Sequence, residues 1–148
     1  MKSVKKAIIV IAVLAMIVSC VGPVSAASDE VEPLASKTLT SYAVYLKAGS
    51  KSGELRITID VAATGVASSL GVSYIEIYEA NNDDTPFEII YGTTSNGLKS
   101  SGPSYTYTYS YTDATPGVEY YAIVSVFAIV NGTFDSRRIQ TTTVTAPT

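Results

Sequence analysis

Leu55, Ile57, Ile59 and Val61 alternate with Glu54, Arg56, Thr58 and Asp60. Strict period two marks a half-buried β-strand, because successive side chains of a strand point to opposite faces. A helix of that length would need apolar residues three and four apart. The same theme recurs along the chain. Tyr42, Val44 and Leu46 share one face of Leu39 to Lys47, and Ile75 and Ile77 oppose Tyr74, Glu76 and Tyr78. Phe87 to Tyr91 is a short run, Tyr105 to Thr112 alternates Tyr with Thr or Ser, Tyr120 to Val130 is long and apolar, and Arg138 to Ala146 is Thr-rich.

Turn signals separate these runs. Ala48 to Gly53, Asn81 to Pro86, Asn96-Gly97, Ser101-Gly102-Pro103, Thr115-Pro116-Gly117 and Asn131-Gly132 are rich in residues that favour turns. An Asn-Gly pair suits a hairpin turn with positive φ. Ala62 to Gly71 is the stretch where a helical turn is an alternative. About seven strands between residues 37 and 148 predict an all-β fold, a single antiparallel β-sandwich of the fibronectin III or immunoglobulin kind. Tyr120 to Val130 is apolar on both faces, so Ile123, Phe127 and Ile129 need cover. A loop is the expected cover and a partner the alternative.

Ahead of that domain, the sequence changes character. Lys2, Lys5 and Lys6 precede an apolar run from Ala7 to Val21; Pro23 breaks it, and Val24-Ser25-Ala26 fits a small-residue cleavage site. Residues 1–26 therefore read as a secretory signal peptide with a helical apolar core. Residues 27–36 are polar and acidic and read as a flexible lead-in. In the alternative reading, Ile17-Val18-Ser19-Cys20 is a lipobox, and Cys20 is the lipidated first residue of a surface lipoprotein. Either route places the domain outside the cytoplasmic membrane, secreted or lipid-anchored. No second apolar segment long enough to span a bilayer follows.

The chain has 148 residues, no His, no Trp and one Cys. Those counts exclude a histidine-based triad, an imidazole metal site, an internal disulfide and a thiolate zinc cluster. Loss of the leader leaves seven basic against thirteen acidic residues, a balance of −6. That argues against nucleic acid and anionic lipid as partners. No phosphate loop, serine-nucleophile elbow or Ser-x-x-Lys motif is present, and no cofactor is expected.

Two resemblances follow from particular residues. Pro116-Gly117-Val118-Glu119-Tyr120, with the apolar run and Asn131-Gly132 after it, resembles the last hairpin of a fibronectin type III-like domain. The resemblance implies that Tyr120 makes a tyrosine-corner bond to backbone. The chain also resembles a family of small secreted Firmicute proteins of unknown function. The matching blocks are Leu39 to Leu46, Asp60 to Gly65, Leu70-Gly71 with Ile75 to Glu79, Tyr120-Tyr121, and Asn131-Gly132 with Asp135-Ser136-Arg137. This resemblance implies export and a Gram-positive source, and no activity.

Tyrosine is the outlier in composition: eleven, against three Phe. Tyr105, Tyr107, Tyr109 and Tyr111 fall on one face of a strand. They either line the core or form an aromatic strip for an extracellular glycan or protein. The absence of Trp weakens the glycan case. Asn82, Asp83 and Asp84 offer oxygen ligands but fit no standard calcium loop, and read as a solvated turn. Glu76 with Glu88, and Glu119 with Asp135, are the carboxylate pairs to examine for glycoside hydrolysis. No residue is assigned as catalytic or metal-binding. In Asp135-Ser136-Arg137-Arg138, an Arg paired with Asp135 or with a neighbouring strand's carboxylate would help fix register, and a surface ligand contact is the alternative. Asn131-Gly132-Thr133 matches a glycosylation sequon but reads as a turn. The sequence thus points to a secreted, non-catalytic binding or interaction module at the cell envelope or a host surface. A structural, self-assembling envelope protein is the alternative.

Overall fold

The computed structural model describes residues 36–82 and 84–148. The expected leader, Cys20, the cleavage site, the lead-in up to residue 35, and Asp83 lie outside the described residues. The rest is all-β, with seven strands: β1 (Leu39–Ala48), β2 (Leu55–Glu79), β3 (Glu88–Tyr91), β4 (Lys99–Tyr111), β5 (Glu119–Val130), β6 (Thr133–Gln140) and β7 (Val144–Thr145). Every pairing is antiparallel, and the strands form one open sheet. No helix among the described residues is long and apolar enough to cross a membrane.

β2 is the spine. Its first half pairs with β1 on one side and β4 on the other; its second half pairs with β5 and β3. β6 and β7 extend the sheet beyond β5. The sequence reading breaks this strand at Ala62 to Gly71 and allows a helical turn there. The structure keeps the stretch extended and bends it instead. Between Ala62 and Ala67, β2 advances five residues while β4 advances two, from Ser104 to Gly102. Ala, Gly and Ser dominate this stretch, and small residues let a strand bulge and bend.

The bend brings the two ends of β2 to shared neighbours. Gly53, just before β2, donates to Pro147 O at 2.8 Å, while Ala80, just after it, donates to Glu119 O at 2.8 Å. The Pro147 and Glu119 segments are themselves joined, by Ala146 N to Val118 O at 2.9 Å. Straight, the 25 residues of β2 would span roughly 80 Å at a strand's rise. The irregularities also change which parity points inward. Leu55, Ile57, Ile59 and Val61 are buried, then Leu70 and Val72, then Ile75 and Ile77. The last change is a bulge at Ser73, where two residues of β2 stand against one of β5.

The core joins those residues to Val44, Leu46, Leu98, Tyr120, Ala122, Val124 and Val126. Val44 and Leu46 are buried as expected, whereas Tyr42 at the same parity is exposed. The Thr-rich run expected over 138–146 divides into β6 and β7, and β6 begins directly after Asn131-Gly132. Both turn residues have positive φ, 50° and 77°, as a two-residue hairpin of this kind requires.

Two carboxylates fasten the loops. Glu54 accepts the Ser50 and Lys51 N–H groups at 2.9 and 3.1 Å. The Ser50 N–H chiefly holds its carboxyl below the usual range, against the opposing pull of burial. Asp135 accepts from Ser36 Oγ and from Lys37 N at 2.8 Å, and pairs with Arg137 at 2.7 Å. Burial raises its pKa, but those bonds, with Thr38 and Arg137, together hold it low. Ser36, at the end of the expected lead-in, is therefore tied to β6.

Candidate functional site

The Tyr strip lies against the core. Tyr111, Tyr109, Tyr107 and Tyr105 stand opposite Leu55, Ile57, Ile59 and Val61 of β2, and opposed residues share a face. Tyr105 and Tyr111 are only 8% and 7% exposed. Tyr105 donates its hydroxyl to Gly97 O at 2.6 Å, and its ring stacks on Tyr107 at 6.1 Å. Burial pushes the Tyr105 and Tyr111 phenols up to about 12. Tyr109 is also raised, first by burial and then by the nearby Glu88. Only Tyr107 reaches solvent substantially.

A different aromatic surface faces outward. On the second half of the sheet, register places Tyr91 beside Tyr74, Ile89 beside Glu76, Ile123 across from Glu76, and Tyr121 across from Tyr78. Arg138 lies beyond Ser125, and Phe134 beyond Ile129, on the same face. Tyr91 is 69% exposed and Phe134 59% exposed. Between them the side chains hold one another. Tyr78 and Tyr121 stack at 5.1 Å with planes 3° apart. Phe127 stacks on Phe134 at 6.0 Å, and Lys99 sits over Phe127 at 5.5 Å. Arg138 bonds Glu76 at 2.6 Å and covers the Tyr74 ring. This is the second face of β5. On that face Lys99 and Phe134 lie against the Phe127 ring.

The candidate carboxylate pairs do not converge. Glu88 stands opposite Ile77 and Glu76 opposite Ile89, so the two carboxylates point to opposite faces of the sheet. Glu119 begins β5 while Asp135 stands opposite Ala128 nine residues along it. At a strand's rise that is roughly 30 Å, against the ~5–10 Å that glycosidase carboxylates need. Asn82 and Asp84 are exposed, and Asp83 lies outside the described residues. Among the described residues no three His, Cys, Asp or Glu side chains group as metal ligands. A depression of about 330 Å³ is lined by Ala80, Asn81, Gly117, Val118 and Glu119, and gathers no reactive pair.

Both arginines of Asp135-Ser136-Arg137-Arg138 find carboxylates. Arg137 takes Asp135 on its own strand, and Arg138 reaches over β5 to Glu76. Tyr120 is fully buried, and its hydroxyl accepts the Thr115 N–H at 3.0 Å, five residues upstream. Its ring meets Phe87 edge-on at 5.7 Å. The outer aromatic face escapes a reading of the sequence because its members come from four strands. Its signal was there in Tyr74, Glu76 and Tyr78 opposite Ile75 and Ile77, but only pairing with β3, β5 and β6 assembles it. Comparison with known protein families, curated proteins and solved structures finds no match to this chain.

Proposed function

We propose that this chain is a secreted, non-catalytic interaction module whose binding surface is the outer face of β3, β2, β5 and β6. It works at the cell envelope or a host surface, and its domain is a β-sandwich of the fibronectin III or immunoglobulin kind. Close approach of β1 to β5, β6 and β7 without pairing supports the two-layer reading. The observation that carries the function is the outer-face run of exposed Tyr91, Ile89 and Phe134 with half-buried Tyr74, Tyr78 and Tyr121 around the Arg138–Glu76 pair. Aromatic residues and Arg are enriched at protein interfaces, clustered near the centre of the patch. The stacked Tyr78–Tyr121 and Phe127–Phe134 pairs, and Arg138 over Tyr74, leave these rings few open faces for a sugar. The surface therefore favours a protein partner over a glycan.

The test is binding of the chain to a panel of matrix proteins, mucin and cell-wall polymers, with Tyr91→Ala/Phe134→Ala beside it. Both rings are exposed, so the variant is expected to fold as the parent does. The expected result is saturable binding to a protein of the panel, weakened at least tenfold in the variant. Tight binding that the variant leaves unchanged, or binding to a glycan alone, counts against this reading.

A further inference from the structure

β4 is an edge strand. It pairs with β2 on one side, and from Ser100 to Tyr111 its other side pairs with no described strand. Proteins blunt such edges with charge, proline, bulges or short length, because unpaired N–H and C=O groups recruit another chain. The other free edges follow that practice. β1 carries Lys47, β6 carries Asp135, Arg137 and Arg138, and β3 is four residues long with Glu88 in it. β4 has Pro103 near its start, and beyond it Ser104 to Tyr111 holds no charge, Pro or Gly. That composition, rich in Tyr and Thr, is the kind that adds strands most readily.

The pattern is also self-complementary. Tyr105-Thr106-Tyr107-Thr108-Tyr109-Ser110-Tyr111 reads the same in either direction if ring and hydroxyl are the two letters. An isologous contact needs a surface that complements itself about a two-fold axis. With the axis at Thr108, an antiparallel partner sets Tyr105 against Tyr111, Thr106 against Ser110, and Tyr107 against Tyr109. Rings then meet rings on the core side, and hydroxyls meet hydroxyls on the outer side. A shift of one residue would set rings against hydroxyls and turn one sheet over. The chain is acidic overall, so two copies approach with least repulsion where neither carries charge.

We propose that β4 pairs with β4 of a second copy of this chain, antiparallel about Thr108, to make one sheet continuous across a closed dimer. The contact uses a different edge from the outer aromatic face, so the two readings stand or fall separately. It also uses up the β4 edge, so the contact closes on two copies.

Charge placement tests both the contact and its register. Thr106 and Ser110 are exposed, and they stand opposite Asp60 and Arg56 of β2. The full chain is compared as wild type, Thr106→Lys/Ser110→Lys and Thr106→Lys/Ser110→Glu by sedimentation at several concentrations, with circular dichroism as the check on folding. All three share residues 1–105 unchanged, so association arising there is common to them. The wild type is expected at twice the chain mass. The Lys/Lys variant sets Lys against Lys at both positions and is expected at the chain mass, its dissociation constant raised at least tenfold. The Lys/Glu variant sets Lys against Glu twice and is expected to restore the dimer. A Lys/Lys variant that stays dimeric, or a folded Lys/Glu variant that stays monomeric, overturns the proposal.

A second measurement covers the case of a variant that fails to fold. Residues directly opposed in an antiparallel pair have Cα atoms about 4.5–5.5 Å apart, within reach of a disulfide. Thr108→Cys is expected to cross-link two chains under mild oxidation much faster than Ser136→Cys on the β6 edge. Equal rates contradict the proposed axis.

Discussion

Gly71→Ala is expected to destabilise the domain on the order of 3 kcal/mol, a large share of the ~5–15 kcal/mol that holds a typical domain together. Gly71 sits where β2 leaves its bend, with φ at +133°, in a region that L side chains rarely adopt. A Cβ there would lie 2.3 Å from the Leu98 carbonyl oxygen. That oxygen cannot withdraw freely, because it accepts the Val72 N–H at 2.8 Å, and Leu98 itself is fully buried. Gly65→Ala is the control. Its φ is ordinary, and an added Cβ meets only Val130 Cγ1 at 3.6 Å. That change is expected to shift stability by less than about 1 kcal/mol. Thermal unfolding reads the contrast as a fall of about 10 °C or more for Gly71→Ala and little for Gly65→Ala. Equal melting temperatures for the two would remove the bend from its place at the centre of the fold.

Tyr120→Ala is expected to cost about 3–5 kcal/mol, the usual range for emptying an aromatic core site. The ring is fully buried, belongs to the core cluster and packs edge-on against Phe87. Tyr120→Phe keeps that packing and removes only the hydroxyl that accepts the Thr115 N–H and donates to Glu79 Oε1 at 3.4 Å. It is expected to cost about 1–2 kcal/mol, about 1 for each such bond. Denaturant unfolding of the pair separates the two contributions. If Tyr120→Phe costs as much as Tyr120→Ala, the hydroxyl rather than the ring fixes the turn from Thr115 to Glu119.

The alternation at Leu55 to Val61 was legible because no irregularity interrupts it, and the same holds for β3 and the Asn131-Gly132 hairpin. The continuity of β2 was not legible. Ala62 to Gly71 is made of small residues with no alternating pattern, and a bulge reverses the parity that the rule of two depends on. The cover of β5 was not legible for a related reason. A run apolar on both faces needs cover, but sequence does not say whether a loop or a neighbouring strand's side chains supply it. The Tyr strip drew attention through composition, since four rings in seven residues stand out. Its register against Leu55, Ile57, Ile59 and Val61 turns those rings toward the core. The outer aromatic face has no such local density. It exists only once Tyr91, Tyr74, Tyr121 and Phe134 are brought from separate strands to one side.

Nitration of tyrosines in the folded chain, mapped by mass spectrometry at short reaction times, tests that placement most directly. The reagent attacks accessible phenolates, so burial and a raised pKa act in the same direction. Tyr91, the most exposed of the rings, is expected to react early, with Tyr45 and Tyr42 close behind. Tyr105, Tyr111 and Tyr120 are buried and are expected to react only when the chain is unfolded. Early nitration of Tyr105 and Tyr111, with Tyr91 protected, would turn the sheet inside out and contradict the account.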